Sequence, residues 1–463
     1  MPEIQTKQPN VLILMSDEHR ADIAGFAGNN VVRTPNLDWL SETGVTFSNA
    51  YTPSPVCIPA RQSIMAGQYP HTTGCEHFHQ DLSPEYMTYS RRFTQYGYST
   101  VCAGKLHHRG KDQMQGWISR IGGDTKLNGE YTERLVGNIP KSDYSGKWSD
   151  AKEIAKAGIG CGPHQEEDQY VLQGTLNFIR RFFIDSEYDC ATPNHPLMLK
   201  VSFCRPHYPY FTDKERFEYY LNRVEPFADQ LLSEHTQLST KSVVPGVDAC
   251  ERDIRRAVAA YYGMVDSMDS DFGKILNALR FAGQDLDDWI IVYMSDHGEM
   301  LGEHSVWEKF KFYEGSARVP LVIRWPRGFD GGHTRSENVN LCDLFATLCD
   351  LCDIPVPDGL DSRSLVPLMR NEASTVWDNV SYSEHVASQL MIKRDALKYQ
   401  WFGPDIPEVL FDLEHDPSEN TDFINDVRYA DALARFRAER KDLGFGVSDI
   451  EYEKPFIEPS HAG

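Results

Sequence analysis

The sequence lacks the features of a membrane or nucleic-acid-binding protein. Its N-terminal apolar run, VLILM at 11–15, is far too short to span a bilayer, and no basic start or long apolar core of a signal peptide precedes it. Basic residues are scarce, 46 Lys and Arg against 68 Asp and Glu, so the formal charge is −22. This charge argues against a nucleic-acid backbone or an anionic membrane as partner. We therefore expect a cytoplasmic protein that meets any anionic substrate with a local basic cluster.

Cysteine and repetitive sequence are also scarce. Ten cysteines in 463 residues are too few for a disulfide scaffold, and no internal repeat or low-complexity stretch is present. The composition, 41% hydrophobic and 25% charged, is typical of a globular protein. The CDLC sequence at 349–352 could bind zinc, but no second pair lies at finger spacing, and 341–353 is more typical of a buried amphipathic helix.

Short runs rich in Val, Ile and Leu alternate with helical patterns, which predicts an α/β fold. The predicted strands are 10–16, 98–104, 195–203, 288–295 and 319–325. Apolar positions three or four apart over 251–281 predict a long amphipathic helix that covers the sheet. After a Pro- and Gly-containing break at 353–361, strand patterns and a final helix near 427–440 predict a smaller α+β unit. We therefore divide the chain into a catalytic domain, 1–360, and a C-terminal subdomain, 361–463.

Polar side chains follow four of the predicted strands. They are Asp17 with Glu18, Lys105, His207, and Asp296 with His297. Ligands bind outside the carboxyl ends of strands in open α/β sheets, so we expect these groups to form one composite site. The carboxylates and the imidazole of Asp17, Asp296 and His297 suit a divalent cation such as Ca²⁺, Mg²⁺ or Mn²⁺. Each cluster alone is also typical of a helix cap or a turn.

A second group of residues could bind an anion beside that cation. Lys105, His107, His207 and Lys309 would each ordinarily be a solvated charge or a loop histidine, but together they supply a basic cluster. Cys57 precedes a predicted helix in SPVCIPARQSIMAG, where a helix N-terminus could activate a thiol. A soft thiolate nevertheless matches Ca²⁺ or Mg²⁺ poorly, so the encoded cysteine does not by itself explain the site.

The sequence CIPAR at 57–61 resembles the Cys-x-Pro-x-Arg signature of type I sulfatases, members of the alkaline phosphatase superfamily. The resemblance continues through SDEHRAD, TPNLDWL, AGKLHHRG, SFCRPHYPY, SDHGEMLGEH, FYEGSARVPL and LFDLEHDPSEN. These motifs look most like choline-sulfatase-like and iduronate-2-sulfatase-like bacterial sulfatases. The resemblance implies a large mixed β-sheet sandwiched by helices, a smaller C-terminal α+β domain, and hydrolysis of a carbohydrate, choline-like or aryl sulfate ester.

The resemblance also implies two cofactors. A formylglycine-generating enzyme oxidises the signature cysteine of this family, so Cys57 would become a hydrated aldehyde, which is an oxygen nucleophile and a hard ligand. One divalent ion, most often Ca²⁺, with Mg²⁺ or Mn²⁺ as alternatives, would be bound by Asp17, Glu18, Cys57, Asp296 and His297. Glu18 departs from the pattern, because many relatives have Asp, Gln or Asn at this position.

Catalytic roles follow from the same matching motifs. Arg61 would hold the nucleophile, Lys105 and Lys309 would contact sulfate oxygens, His207 would protonate the departing alcohol, and His107 would take the proton whose loss releases sulfate. His108 is a neighbour that could compete for the role of His107. The expected partners are a small-molecule or saccharide sulfate ester and the maturation enzyme, with a homo-oligomer as a further expectation.

Two other functions fit part of the pattern. A phosphonate monoester or phosphodiester hydrolase of the same superfamily shares the cysteine motif, although such enzymes tend to depart from the Lys-x-His element that GKLH keeps here. A non-catalytic sulfate-binding protein with the same fold is the remote alternative. For a quaternary ammonium substrate, Trp117 and Trp148 in the long 110–165 segment are candidates for an aromatic cage.

Overall fold

The computed structural model describes residues 8–108, 110–122, 150–184, 195–227, 231–240, 242–372 and 376–447. The described strands are β1 Asn10–Asp17, β2 Val45–Phe47, β3 Ala50–Tyr51, β4 Ser99–Gly104, β5 Ser119–Ile121, β6 Gly158–Ile159, β7 Leu197–Pro206, β8 Phe211–Thr212, β9 Trp289–Ser295, β10 Arg318–Val319, β11 Leu321–Arg324, β12 His333–Arg335, β13 Val339–Asn340, β14 Val380–His385, β15 Gln389–Arg394, β16 Leu397–Trp401 and β17 Val409–Asp412.

A mixed eight-stranded sheet, in the order β12-β2-β11-β9-β1-β7-β4-β5, forms the centre of the molecule. β1 pairs in parallel with both β7 and β9, and β7 pairs in parallel with β4. Residues 11–15 of β1 are fully buried. Strands that are covered on both faces need continuous apolar runs rather than alternating polar and apolar residues. This explains why all five residues of VLILM are apolar. The expected α/β class with a large mixed sheet is confirmed.

Helices pack on both faces of this sheet. The described α-helices of the whole chain are α1 Pro35–Thr43, α2 Cys57–Ala66, α3 Pro70–Thr73, α4 Tyr89–Gln95, α5 Asp150–Lys156, α6 Pro163–Phe183, α7 Lys214–Leu221, α8 Glu251–Phe281, α9 Glu314–Ala317, α10 Leu344–Leu351, α11 Val366–Met369 and α12 Ala430–Asp442. α8 has the bounds that the periodicity predicts, and its apolar residues join those of β1, β7 and β9 in one core. α2 and α10 contribute to a second core on the other face.

The C-terminal part contains the antiparallel sheet β14-β15-β16-β17 and α12. α12 covers this sheet through Leu433 and Phe436, and the Phe436 ring stacks on Tyr399 with centroids 5.4 Å apart. The sheet is joined to the larger part by a buried Lys398, whose Nζ lies 2.6 Å from Glu314 and 2.7 Å from Glu419. The strands and helix expected here are present, and the division at residue 360 stays a prediction.

Two minor expectations have clear outcomes. Cys349 and Cys352 lie buried at the end of α10 among apolar side chains, as an amphipathic helix requires. Trp117 is 3% exposed and packs edge-on against Tyr89, so it is a core residue and the expectation that it could form an aromatic cage is wrong. Trp148 lies outside the described residues. Across the part of the chain that the structure describes, no helix combines the length and apolar character needed to cross a membrane.

Candidate active site

The site forms where four adjacent parallel strands end. β9, β1, β7 and β4 are neighbours in the sheet, and their carboxyl ends deliver Asp296 with His297, Asp17 with Glu18, His207, and Lys105. Because parallel neighbours end at the same edge of a sheet, residues 278 positions apart in the sequence, Glu18 and Asp296, become contacts. All of these side chains are buried.

Cys57 is the first residue of α2 and faces these strand ends. Its Sγ lies 3.0 Å from His297 Nε2, 3.5 Å from Lys309 Nζ and 3.8 Å from Asp17 Oδ1. Burial, with the negative charge of Asp17 beside it, raises the pKa of the thiol even though two lysines oppose the shift. This shift favours the protonated thiol over a thiolate at position 57.

Arg61 lies one helical turn after Cys57 and connects the two strand-end aspartates. Its Nε donates to Asp296 Oδ2 at 2.7 Å and its Nη2 to Asp17 Oδ2 at 2.8 Å. Nη1 donates to the carbonyl oxygen of Lys105 at 2.6 Å and to Ser202 Oγ at 2.9 Å. The guanidinium is fully buried and uses its planar set of donors to fix the ends of four strands relative to α2.

Asp17 and Lys105 form a buried ion pair, with Lys105 Nζ 2.7 Å from Asp17 Oδ2. Burial alone would raise the pKa of Asp17, but the charges of Lys105 and Arg61 hold it well below its usual value. Burial would likewise lower the pKa of Lys105, and Asp17 raises it well above its usual value. Asp17 is therefore a carboxylate and Lys105 an ammonium inside the protein.

Glu18, His207 and Lys309 form a second contact set beside the first. Lys309 Nζ lies 2.9 Å from Glu18 Oε2 and 2.8 Å from His207 Nε2, and the same Glu18 oxygen lies 3.2 Å from His207 Nε2. His207 Nδ1 lies 2.6 Å from the carbonyl oxygen of Tyr208, which can only accept, so Nδ1 carries the proton. Burial and the charge of Lys309 hold the pKa of His207 well below its usual value, so Nε2 accepts from Lys309.

The donor atoms fit a hard divalent cation. Ligand atoms of Asp17, Cys57, Asp296 and His297 lie within 4.8 Å of one another, as do those of Asp17, Glu18 and His207. Glu18 Oε1 is buried, and no donor group of a described residue contacts it. The Nδ1 atom of His297 lies 3.0 Å from the carbonyl oxygen of Gly298, which turns the lone pair of Nε2 toward Cys57. Carboxylate oxygens dominate this set, as Ca²⁺ and Mg²⁺ prefer.

The two neighbouring histidines of GKLHH have different surroundings. Burial and the charges of Lys105 and Arg61 lower the pKa of His107, so this imidazole belongs to the electrostatic environment of the site and is neutral. His108 Nδ1 lies 3.3 Å from Gln62 Nε2, and the pKa of His108 is lowered by burial and by the charges of Arg120, Lys200 and Arg61. More charged residues of the strand-end cluster act on His107 than on His108, and the choice of His107 as the histidine of the site stays a prediction.

Comparison with known proteins agrees with this geometry. The family model named Sulfatase matches residues 9–354. The chain belongs to the sulfatase family. A second model, N-sulphoglucosamine sulphohydrolase, C-terminal, matches 302–443 of this sulfatase. The resemblance inferred from the motifs is therefore confirmed, and the protein is a sulfuric ester hydrolase.

Individual relatives cover nearly the whole sulfatase. It is 31% identical to an arylsulfatase of Clostridium perfringens over 93% of each chain, and 30% identical to a choline-sulfatase of Rhizobium meliloti over 91% of this chain and 84% of that relative. Among solved structures, a phosphonate monoester hydrolase of Agrobacterium radiobacter superimposes with a TM-score of 0.76 at 23% identity, covering 94% of this chain and 95% of the other. A structure in complex with its substrate D-glucosamine-2-N,6-O-disulfate superimposes with a TM-score of 0.74 at 21% identity, covering 94% and 97%. At these identities the two structures show the fold alone.

One buried acid of this sulfatase was not anticipated from its sequence. Glu299 lies within the SDHGEMLGEH motif and accepts hydrogen bonds from Leu301 N at 2.8 Å, Glu308 N at 2.6 Å and Tyr210 OH at 3.0 Å. Glu299 contributes to raising the pKa of Glu18, after the larger effect of burial, so a second carboxyl group stands behind the proposed ligands. The only sequence signal for a role of Glu299 in the site was its position three residues after Asp296. The surrounding loop shows no periodicity that would predict a buried side chain at this position.

Proposed function

We propose that this sulfatase hydrolyses the sulfate ester of a saccharide through formylglycine formed at Cys57, with one divalent ion, Ca²⁺ before Mg²⁺ or Mn²⁺. The observation that carries the proposal is the position of Cys57. Its Sγ lies within 4 Å of His297, Lys309 and Asp17, and burial raises the pKa of its thiol. A residue so placed, but unsuited as a thiolate, is consistent with chemical conversion before use.

The candidate ligands for the ion are Asp17, Glu18, Asp296 and His297, with the group at position 57. A bound divalent ion would lower the pKa of the attacking oxygen and offset charge on the sulfate oxygens. Formylglycine would supply that oxygen as a hydrated aldehyde. Arg61 holds Asp17 and Asp296 in place, because one oxygen of each carboxylate accepts a hydrogen bond from the guanidinium.

The positive side chains provide the sulfate-binding surface. Lys105 and Lys309 remain charged inside the protein despite burial, because Asp17 and Cys57 raise the pKa of Lys105, and Cys57, Glu18 and Asp17 raise that of Lys309. A sulfate ester bound at Cys57 would replace part of their contact with Asp17 and Glu18. Both ammonium groups would then stabilise negative charge on sulfate oxygens as the bond to the alcohol lengthens.

Proton transfer to the departing alcohol is assigned to the His207–Lys309 pair. His207 is neutral at Nε2, and Lys309 donates to that nitrogen, so a proton can reach the alcohol oxygen either from Lys309 directly or through His207. His107 is neutral as well and is therefore able to take a proton, as the release of sulfate requires.

A saccharide is favoured as the alcohol half of the substrate. The matched C-terminal family model is described as that of N-sulphoglucosamine sulphohydrolase. One of the structural relatives is described as a complex with a disulfated glucosamine. The ring of Phe78 is 46% exposed and stands edge-on to His107 at 5.9 Å, so an apolar face borders the site and could pack on a sugar ring. A choline-like or aryl sulfate remains the alternative that the substrate panel below distinguishes.

The first test is the mass of the proteolytic peptide that contains Cys57, from protein made in cells with a formylglycine-generating enzyme. We expect an aldehyde at position 57, while the peptide containing Cys102, a buried strand cysteine, stays a thiol in the same digest. An unmodified Cys57 despite competent maturation would overturn the proposal.

The second test compares sulfate release from a glucosamine sulfate, choline sulfate and an aryl sulfate with phosphonate release from an aryl phosphonate monoester. The proposal expects the largest kcat/KM for the sugar sulfate. A preference for the phosphonate ester would favour a phosphonate monoester hydrolase, and absence of turnover with matured protein would favour a sulfate-binding protein.

A further inference from the structure

A second cluster of metal-ligating side chains lies outside the site described above. His164 and Glu167 are three residues apart at the start of α6, so they share one face of the helix. Cys204 faces them from the carboxyl end of β7, two residues before Pro206. The three side chains are 8%, 9% and 2% exposed. One ligand atom from each lies within 4.8 Å of the other two.

The distances in this cluster are close to those of a tetrahedral zinc site. Zinc bonds of about 2.0–2.3 Å at tetrahedral angles place neighbouring ligand atoms about 3.3–3.5 Å apart. Cys204 Sγ and Glu167 Oε2 are already 3.3 Å apart. The 4.8 Å limit on the other pairs means that His164 needs to approach by at most about 1.5 Å. Three protein ligands leave the fourth position of a tetrahedron open.

The cluster is also held rigidly. Asp168, next to Glu167, accepts hydrogen bonds from the backbone N–H of Cys204 at 2.6 Å and of Arg205 at 3.1 Å. It also forms an ion pair with the Arg205 side chain at 2.7 Å. These contacts tie the first turns of α6 to the end of β7, so the spacing between Glu167 and Cys204 does not depend on a ligand. Preorganised ligands favour metal binding.

The chemistry of the ligands differs from that of the active site. One thiol, one imidazole and one carboxylate form a borderline-soft set that suits Zn²⁺, whereas the strand-end site is dominated by carboxylates and suits a hard ion. A thiolate and a carboxylate also neutralise a divalent charge, which makes the ion tolerable beside Arg205. The two sites share no ligand, although the rings of His164 and His207 are neighbours with centroids 5.0 Å apart.

We propose that His164, Glu167 and Cys204 form a second metal site, which binds Zn²⁺ or a similar transition-metal ion next to His207. The site is distinct from the proposed Ca²⁺ site, and it stands whether or not Cys57 becomes formylglycine.

The test uses Co²⁺ as a spectroscopic probe in the full-length Cys57→Ala protein, so that no thiol remains in the strand-end site. After chelator treatment and dialysis into excess Ca²⁺, one equivalent of Co²⁺ is added. We expect a thiolate-to-Co²⁺ charge-transfer band in the near ultraviolet, and its displacement by one equivalent of Zn²⁺. Absence of the band at saturating Co²⁺ would overturn the proposal.

Two variants in the same background identify the ligands. Cys204→Ser should abolish the band, whereas Cys102→Ser, which changes a buried cysteine of the adjacent strand β4, should leave it intact. Glu167→Gln keeps the size of the side chain and an acceptor for a thiol hydrogen bond, so it also serves if Cys204→Ser does not fold. It should weaken Co²⁺ affinity by at least about 10-fold.

The alternative outcome is equally specific. If Cys204 and Glu167 form only a thiol–carboxylate hydrogen bond, Glu167→Gln will leave metal affinity unchanged and Cys204→Ser will not alter the spectrum. Either result contradicts the second metal site, and neither bears on whether the protein hydrolyses sulfate esters.

Discussion

Lys309 donates a hydrogen bond through Nζ to Nε2 of His207 at 2.8 Å, while Nδ1 of the same ring faces the Tyr208 carbonyl oxygen. The pair therefore holds one transferable proton at the position where an alcohol would leave. Both partners are buried, so water cannot easily supply that proton instead. This relationship makes the dependence on the leaving group the sharpest test of His207.

Replacing His207 with Gln should lower kcat/KM by a factor that depends on how strongly the leaving group needs a proton. For a sugar sulfate, whose alcohol needs a proton, kcat/KM should fall by about 10²–10⁴-fold. For 4-nitrophenyl sulfate, whose phenolate leaves unaided, the loss should be less than about 10-fold. His415→Gln, a substitution of an exposed C-terminal histidine, should change neither rate. Equal losses on both substrates would show that His207 does not deliver the proton.

Arg61→Met should destabilise the fold as well as abolish turnover. The guanidinium is fully buried between Asp17 and Asp296, and its removal leaves two buried carboxylates without their common partner. We expect the free energy of unfolding in denaturant to fall by about 3–5 kcal/mol at neutral pH. Arg428→Met, which changes a solvent-exposed pair with Asp426, should leave the unfolding midpoint unchanged. An Arg61→Met protein as stable as the parent would mean that the strand ends do not depend on this residue.

Removing the divalent ion should abolish turnover and lower stability together. Dialysis against a chelator should leave an inactive protein, and added Ca²⁺ should restore both activity and the unfolding midpoint, because an ion that binds only the folded state stabilises it by mass action. Glu18→Gln should raise the Ca²⁺ concentration needed for recovery by about 10-fold or more, since Glu18 Oε1 is a buried oxygen without a described donor. Full activity in chelated protein whose metal content is negligible would contradict the metal site.

Much of this fold could be predicted because its signals are local. β1 and β9 are buried on both faces, so their apolar runs are continuous, whereas α8 is buried on one face, so its apolar residues are periodic. Each of these patterns is visible within a single segment of the sequence. The polar groups that predict one composite site are also visible locally, because each of them follows a strand pattern in the sequence. The C-terminal strands are predicted from alternating segments, and a final helix is predicted near 427–440, where α12 spans Ala430–Asp442.

The contacts that unite the site could not be predicted from periodicity. Arg61 reaches Asp296 across 235 residues, and Lys309 reaches Glu18 across 291. These contacts depend on the order of strands in the sheet, which no local pattern encodes. Glu299 was missed because it lies in an irregular loop. The boundary at residue 360, a homo-oligomer and the cytoplasmic location stay predictions.

Glu419 should contribute a component of stability that is lost as pH rises from about 4.5 to about 7. Burial raises the pKa of Glu419 to about 7, despite the ammonium of Lys398, because Lys398 is shared with Glu314. The folded protein then keeps a proton that the unfolded chain has released, so each increase in pH across this window favours unfolding. The contribution is up to about 3 kcal/mol.

Glu419→Gln should remove this slope. The free energy of unfolding of this variant, measured in urea from about pH 4.5 to 7, should decrease less with rising pH than that of the parent. Glu408→Gln is the matched control, because the hydrogen bond from Arg437 and other contacts lower the pKa of Glu408, and its effect therefore falls below this window. Identical slopes in the parent and Glu419→Gln would show that Glu419 is ionised throughout.

Cys57→Ser should complete the first half of the reaction and then stop. The serine Oγ can attack sulfur and displace the alcohol, which leaves a sulfate ester on residue 57. Formylglycine carries a second hydroxyl when hydrated, and loss of its proton can expel sulfate, but serine has no such group. We therefore expect release of about one equivalent of alcohol and a gain of one SO₃ group on the peptide containing residue 57. Cys57→Ala, which offers no oxygen, should release nothing, and sustained turnover by Cys57→Ser would refute an aldehyde-dependent mechanism.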